Sequence, residues 1–440
     1  MVDTEGPQFE PGSTHFFFSV MFLALLIPRL LLALSNLPPL LQHEHQLSSP
    51  LTSYSNLQEG IYLFNHGIDP YSGGVFRHSP LFLSLFTTLL PLTGVASSIL
   101  WTLCDALGAW AMVCIWRARQ NTSHSSRETL IAASYLFNPY IFLPTLAQST
   151  SSFENTLMLL SLMFARRASP ALLVLSFLVQ ISPSSILVLV PVVFLLITDP
   201  VSRLASPRPI TDLGVTRRNL LPLLAEFILY FSAFTFVSTL VSGNWAWIPQ
   251  TWGAISPKFN SSGPNAKYRA MVVFLYRNVR PLPPFLPDGL LRTSLPFPYI
   301  FPPNPHDQVH LLIYVPPICI KFQYDPLYAA FLLIGVLGTF KAYPTLSDPG
   351  LFLSMISLFP EIYPYFRHPM VTALLHLHAF LLMPLFNHLW LVQGTGNANF
   401  YYASTLVFAC SNGAALIDCI WAGLRIAIGE AHQDYAVVQE

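Results

Sequence analysis

Charged side chains supply only 10% of this 440-residue chain, while 53% of it is hydrophobic. A soluble domain carries about 25% charged residues, so a chain this long cannot dress a water-facing surface. Disorder is excluded by the same balance, because it requires low hydrophobicity and high charge. With 21 basic and 21 acidic residues the formal net charge is zero, which leaves no basic excess for nucleic-acid phosphates. A polytopic membrane protein remains.

The first apolar run, Phe16 to Leu34, follows the acidic Asp3, Glu5 and Glu10. A secretory signal has a basic start and a small-residue cleavage site, so this run is expected to be a retained transmembrane helix. A polar stretch from Ser35 to His78 follows. Further apolar runs cover about 79–94, 97–116, 129–147, 151–165, 170–198, 220–241, 309–320, 326–340, 350–360, 370–392 and 400–428. Several fall short of the roughly 20 residues that a span needs. The expectation is an all-α polytopic fold of about ten to twelve spans, some of them paired half-helices, in one membrane domain over 1–440. No repeat of fixed period is present, which argues against an inverted-repeat transporter.

Arg117, Arg119 and Arg127 fill one loop and Arg203, Arg208, Arg217 and Arg218 another. Both are expected on the cytoplasmic side by the positive-inside rule. The 35–78 stretch holds only Arg77, at its end, and is expected to be a luminal loop. Asn121 opens an N-T-S sequon, but its arginine-rich surroundings argue against glycosylation. The five cysteines form no C-x-x-C pair or zinc spacing, and most sit in apolar runs as small hydrophobes. His43-Glu44-His45 reads as a solvated turn in a polar loop. No metal site and no cofactor is expected.

Polar residues inside apolar runs need a reason. In G-I-D-P-Y-S-G-G-V-F-R-H-S-P-L, Asp69, Tyr71 and Arg77 sit in a turn shaped by Pro70, Gly73 and Gly74. In L-F-N-P-Y-I-F-L-P-T-L-A-Q-S-T-S-S-F-E-N-T-L, Asn138, Gln148, Glu154 and Asn155 accompany two helix-breaking prolines, Pro139 and Pro144. Such breaks are tolerated where they are buried or line a cavity, so structural breakage and binding stand side by side. Lys341 and Asp348 flank Tyr343-Pro344. In F-N-H-L-W-L-V-Q-G-T-G-N-A-N-F-Y-Y-A, His388 and Trp390 suit a membrane interface. After the Gly394–Gly396 turn, Asn397, Asn399, Phe400 and Tyr401 start the next helix. Those asparagines can cap backbone N–H groups or present amides to a sugar or phosphate at a helix N-terminus.

Taken with L-S-S-P-L-T-S-Y-S-N-L-Q-E-G, D-P-Y-S-G-G-V-F-R-H-S-P-L, L-F-N-P-Y and K-A-Y-P-T-L-S-D, the H-L-W…G-N-A-N-F-Y-Y-A motif resembles the PIG-U family. That family is a membrane subunit of the glycosylphosphatidylinositol (GPI) transamidase. The resemblance covers most of 16–428 and is most specific at its last motif. It implies an endoplasmic-reticulum complex that removes a C-terminal signal peptide and attaches a GPI anchor. In such a complex a cysteine protease-like partner does the chemistry, and the multi-spanning, non-catalytic subunit helps hold the GPI lipid or the attachment signal. On this basis Asn397, Asn399, Phe400, Tyr401, His388 and Trp390, with Lys341, Tyr343 and Asp348 nearby, are expected to contact the lipid. Asp69, Tyr71 and Arg77 are expected on the luminal face that meets partner subunits.

The family's fold is also similar to that of multi-spanning (GT-C-like) mannosyltransferases that use dolichol-phosphate mannose, and a mannosyltransferase of GPI biosynthesis is the alternative. Such transferases keep acidic residues in their first luminal loop. Here that loop offers Glu44, Glu59 and Asp69 without an adjacent acidic pair, and general-base chemistry needs a positioned carboxylate. No catalytic residue is expected in this chain.

Between Ser261 and Gln308 the resemblance stops. Ten prolines crowd these 48 residues, against 29 in the other 392. Arg269, Arg277, Arg280 and Arg292 stand where a hydrophobic span is expected. A one-base forward shift re-reads Gly263 to Arg292, with free choice only at wobble and synonymous positions. The result is D-L-T-P-N-I-G-L-W-W-Y-F-F-T-E-M-F-D-H-F-R-P-F-F-L-M-V-F-S, a string that resembles the family's luminal turn and following aromatic helix. Met271-Val272 must give a Trp in that frame. Thr293 to Gln308 then reads as a retained intron, and Val309 resumes the family pattern. No functional residue is expected within 261–308. A cDNA across this region is expected to show one frame change and a missing stretch. A cDNA encoding the printed residues would overturn the reading.

Overall fold

A computed structural model describes residues 11–42, 44, 46–73, 76–90, 94–122, 125–166, 168–197, 204, 219–252, 311–341 and 343–429. His43, His45, the 261–308 segment and the Arg203–Arg218 group lie outside the described residues. Among the described residues there are helices and turns but no strand, as the composition requires. In chain order the helices are α1 (Pro11–Ala33), α2 (Leu37–Leu41), α3 (Tyr54–Asn65), α4 (Pro80–Thr88), α5 (Gly94–Gln120) and α6 (Glu128–Leu136). Next come α7 (Pro139–Leu146), α8 (Ser151–Met163), α9 (Ala168–Ile181), α10 (Leu189–Ile197), α11 (Leu220–Ser242) and α12 (Trp247–Thr251). The last five are α13 (Val315–Lys321), α14 (Pro326–Phe340), α15 (Ser347–Met355), α16 (Pro369–Leu391) and α17 (Ala398–Ile428).

Four of these, α5, α11, α16 and α17, are long and apolar enough to cross a membrane. The pair α6 and α7, bent by 52° at the Phe137–Asn138 break, is long and apolar enough only when taken together, as a broken span or a re-entrant loop. Five shorter apolar stretches, Val20–Ala33, Ala168–Ile181, Pro183–Ile197, Leu311–Lys321 and Pro326–Phe340, are too short to cross alone by the same measure. By length the described residues therefore hold four or five spans, not ten to twelve. Proline and glycine interrupt several of the apolar runs, and some of the resulting pieces are short helices enclosed by their neighbours.

The clearest such piece is α14. Its residues from Pro326 to Thr339 are all buried, so it is apolar all round, as a fully enclosed helix must be. It packs against α10, α13, α15 and α17. A Cβ added at Gly338 would lie 2.9 Å from the Pro349 backbone, so glycine is what lets α14 and α15 approach this closely.

Chain directions alternate, and polar contacts gather the loops into two ends. At one end Arg119, in the last turn of α5, donates to Asp325 Oδ2 at 3.1 Å and to the Leu358 carbonyl at 3.0 Å, and it also pairs with Glu361. Beside it Arg117 makes a forked pair with Glu128 at 2.9 and 2.6 Å. These arginines are helix-end anchors rather than loop charges. At the opposite end the 44–53 segment is stitched to two other connections. Thr150 N–H donates to the Thr52 carbonyl at 2.9 Å, and Leu346 N–H donates to the Gln46 carbonyl at 3.3 Å.

One ion pair sits deep between α1, α5 and α6. Arg29 and Asp105 are 2% and 0% exposed and bonded to each other. Arg29 also donates to the Leu136 carbonyl at 2.9 Å and covers the Phe142 ring, and Thr145 Oγ1 donates to Asp105 Oδ2 at 2.6 Å. Losing one partner of a buried pair strands the other and costs about 3–5 kcal/mol. Arg29→Leu or Asp105→Leu alone is therefore expected to lower the thermal unfolding midpoint of the detergent-solubilised protein sharply. The double variant is expected to cost less than the sum of the two. Additive losses would show that the pair is not coupled.

Candidate functional site

The polar end contains two of the three sequence-predicted groups in continuous contact. The first is the tip of the α16–α17 hairpin. Asn397 is the N-cap of α17: its Oδ1 accepts the Asn399 N–H at 3.0 Å. Gly394, at a φ of 67°, turns the chain, and the Thr395 and Gly396 amides return to the Leu389 carbonyl at 3.1 and 2.9 Å. A Cβ at Gly396 would lie 2.9 Å from the Trp390 nitrogen, so the turn closes directly on the end of α16. That closure stacks Trp390 on Tyr401, with ring centres 6.1 Å apart, and Phe386 on Phe400 at 5.6 Å. Asn397, Asn399, Phe400 and His388 are exposed, while Tyr401 and Trp390 are half-buried.

The second group is an ion cluster. Lys341, just beyond α14, places Nζ 2.8 Å from Glu154 Oε2 and 2.9 Å from Asp348 Oδ1. Glu154 lies in the first turn of α8 and Asp348 in the first turn of α15; helix N-termini favour negative side chains there. The other oxygen of Asp348 accepts the Thr345 amide at 2.8 Å and its hydroxyl at 3.0 Å. Asn155 donates to Ser347 Oγ at 2.7 Å. Tyr343 between them is half exposed, with φ at 54°, a conformation that a bulky residue adopts only when its surroundings impose it.

A short segment joins the two groups. Glu44 Oε2 accepts from Asn387 Nδ2 of α16 at 3.2 Å, and the Gln46 carbonyl receives the Leu346 amide. Leu47, Tyr140, Leu346 and Met383 form one buried apolar cluster, with Tyr401 packed against it. The Glu44 and Gln46 bridge carried no signal in the sequence. The pairing with Asn387 spans 343 positions, and only the folded arrangement creates it.

The third group lies apart and faces inward. Asp69 Oδ1 accepts the Tyr71 amide at 2.9 Å, an Asx turn, and Oδ2 accepts from Asn244 Nδ2 at 3.1 Å. Tyr71 is buried and donates to the His78 carbonyl at 3.1 Å. Burial, then the Asp69 charge, raises its phenol well above the ordinary range. Arg77 reaches the Gln250 carbonyl at 3.4 Å. The turn thus docks on the connection after α11, over an aromatic cluster of Tyr54, Phe76, Phe82, Phe86, Trp101 and Trp247.

The polar residues of the α6–α7 and α7–α8 breaks also have structural partners. Asn138 caps α7 and donates to the Gly350 carbonyl at 3.0 Å and to Ser354 Oγ at 2.9 Å. Gln148, at a φ of 56°, donates to Ser97 and Ser98 and accepts from Gln42. Of the two readings open for these residues, the geometry favours breakage with internal satisfaction.

His78 is buried, with its Nε2 3.2 Å from the Ser53 carbonyl. Loss of solvent pushes its imidazole down to about 4, only partly offset by that carbonyl. Above pH 6.5 the ring is neutral whether the protein is folded or unfolded, so it adds no pH dependence there. Below that, only the unfolded chain gains the proton, and stability falls until about pH 4. The unfolding midpoint is expected to drop between about pH 6.5 and 4, by an amount that His78→Asn reduces. An equal slope in both proteins would assign the pH dependence to other groups.

The family model described as GPI transamidase subunit PIG-U matches residues 23–267 and 308–408, a range that includes the hairpin tip and the ion cluster. Residues 268–307 stay unmatched and fall within the proline-rich 261–308 segment. The chain is 32% identical over 402 residues to the GPI transamidase component GAB1 of Saccharomyces cerevisiae, covering 90% of this chain and 92% of the relative. The GAB1 homolog of Schizosaccharomyces pombe is 27% identical over 398 residues, at 87% of each chain. The GPI-anchor transamidase component PIGU of Homo sapiens is 25% identical over 421 residues, at 89% of this chain and 90% of the relative. Nearly the whole membrane domain is shared with these proteins, and the chain belongs to the PIG-U family of GPI transamidase subunits.

Proposed function

We propose that this chain is a non-catalytic subunit of a GPI transamidase in the endoplasmic-reticulum membrane, with the 44–53, 341–348 and 391–397 connections on the luminal side. The bond-breaking cysteine belongs to a protease-like partner. The hairpin tip between α16 and α17 recognises the GPI lipid, or the C-terminal attachment signal, for that partner.

The observation that carries this reading is the composition and exposure of the tip. With its Oδ1 committed to capping, Asn397 is exposed, and Asn399 is exposed beside it. Amide donors at the start of a long helix suit phosphate and sugar oxygens. The Phe386–Phe400 and Trp390–Tyr401 stacks give an apolar wall at the membrane boundary. Lys341 and Asp348 serve as supports, since the ammonium is already bonded to two carboxylates; Tyr343 and His388 offer exposed rings at the margin. Partner subunits meet the Asp69–Arg77 turn, where Ser72 and Gly73 are exposed beside half-buried Asp69 and Arg77. The mannosyltransferase alternative is not favoured, because the relatives are named as transamidase components. The carboxylates of Asp69 and Glu44 are also bonded to Asn244 and Asn387 rather than free to act as a base.

In cells lacking the endogenous subunit, Asn397→Ala combined with Asn399→Ala is expected to reduce GPI-anchor attachment roughly tenfold, the scale of one or two lost polar contacts, at unchanged chain level. Attachment at the wild-type level would remove these residues from the site. Tagged wild-type chain is expected to bring the protease-like subunit with it. Mannose transfer from a dolichol donor by the purified chain would favour the enzyme alternative instead.

A further inference from the structure

Of the three histidines in α16, the two near its middle have opposite environments. His376 faces the protein, where Nδ1 bonds the Thr372 carbonyl at 2.8 Å and Nε2 lies 3.0 Å from Asn412 Oδ1 on α17. His378, two residues on, is turned about 200° around the helix and is exposed. Among the described residues its hydrogen bond is local, Nδ1 to the Leu374 carbonyl at 2.7 Å. A carbonyl only accepts, so in the uncharged ring Nδ1 carries the hydrogen and Nε2 is left as an outward-facing acceptor.

Depth makes this position costly. The 23 residues of α16 extend about 34 Å, against a hydrocarbon thickness of about 30 Å. His378 is the tenth of them, within roughly 4 Å of the midpoint, and an imidazole cannot reach either boundary from there. An unmet polar nitrogen facing lipid tails is unfavourable. It also lies within a regular stripe: Val371, Leu374, His378, Leu381 and Leu385 are all exposed and alternate in steps of three and four. That is the spacing of a seam into which a second helix packs, and a single polar residue in such a seam fixes register.

We propose that this stripe is the docking site for one transmembrane helix of another subunit of the complex, and that this helix presents a hydrogen-bond donor, such as a hydroxyl or amide, to His378 Nε2. The inference rests on the subunit reading above. A second copy of this chain is a poor occupant. Copies share one orientation in the membrane, so a symmetric seam would set one Nε2 acceptor against another with no donor between them.

The test uses the assembled complex, purified in mild detergent through a tag on this chain, with a photo-reactive phenylalanine at Leu374 or Leu381. Illumination is expected to join the chain to a subunit that co-purifies with the wild type, at a peptide from a membrane-spanning segment. H378L is expected to lower recovery of that subunit about three- to fifteenfold at equal chain level, the range measured for single interhelical hydrogen bonds. H378Q, which restores an acceptor, is expected to recover most of the loss. Cross-links to lipid alone or to a second copy, or unchanged recovery with H378L, would overturn the docking site while leaving the subunit reading intact. A wild-type chain that brings no subunit at all would overturn both.

Discussion

Polar groups inside a membrane have to find partners within the protein, and the architecture follows from how this chain meets that demand. The break between α6 and α7 is where the demand is heaviest. A continuous helix would satisfy its own backbone, but Pro139 stops one helix and Asn138 starts the next by accepting the Tyr140 amide. The same asparagine then donates to α15 through Gly350 and Ser354. Next to the break, Arg29 and Asp105 close on each other with help from the Leu136 carbonyl and Thr145. The interruption is therefore also the junction that fixes α1, α5, α7 and α15 together. A bent span in which each freed group has a named partner positions its neighbours more tightly than a straight, wholly apolar one.

The same logic separates the two ends. Arg119 ties α5 to the start of α14 and to the Leu358–Glu361 turn, so that end is locked by charge. The other end is held by a longer polar chain of contacts running from the 44–53 segment through Leu346 to the Lys341 cluster, and through Glu44 to α16. Most of its side chains are spent on one another. The hairpin tip differs, because its asparagines and Phe400 are exposed once the cap and the stacks have formed. A fixed frame with one uncommitted edge is what recognition requires, since little ordering is left to be done on binding.

Much of this was legible in the sequence, and the residues show why. Prolines 139 and 144 marked a broken span because proline removes a backbone donor wherever it occurs. Asn397 after Gly394 and Gly396 marked a helix start because capping is local chemistry. Contacts between distant elements were not legible. Arg29 read only as a member of an apolar run, yet its partner lies 76 positions away. Arg119 read as a loop charge, but it sits inside the last turn of α5 and is buried. The number of spans was not legible for a related reason: hydropathy reports that a segment such as α14 avoids water, but not whether lipid or protein surrounds it.

That last ambiguity also bears on α16. Its composition is that of a membrane span on every side, and hydropathy cannot tell its faces apart. The two histidines near its middle can. His376 is satisfied by α17 and so marks the inner face, while His378, near the middle of the helix, is exposed on the other. A side that faced only lipid would gain nothing from imidazole at that depth. The hairpin is thus divided along its length as well as around it. Its tip offers amides and aromatic rings at the boundary, its inner face is fastened to α7 through the bond from Tyr140 to the His376 carbonyl, and its outer face keeps one polar group at seam spacing. The docking proposed above would place a partner's helix on the outer face while the tip stays in register with the frame beneath it.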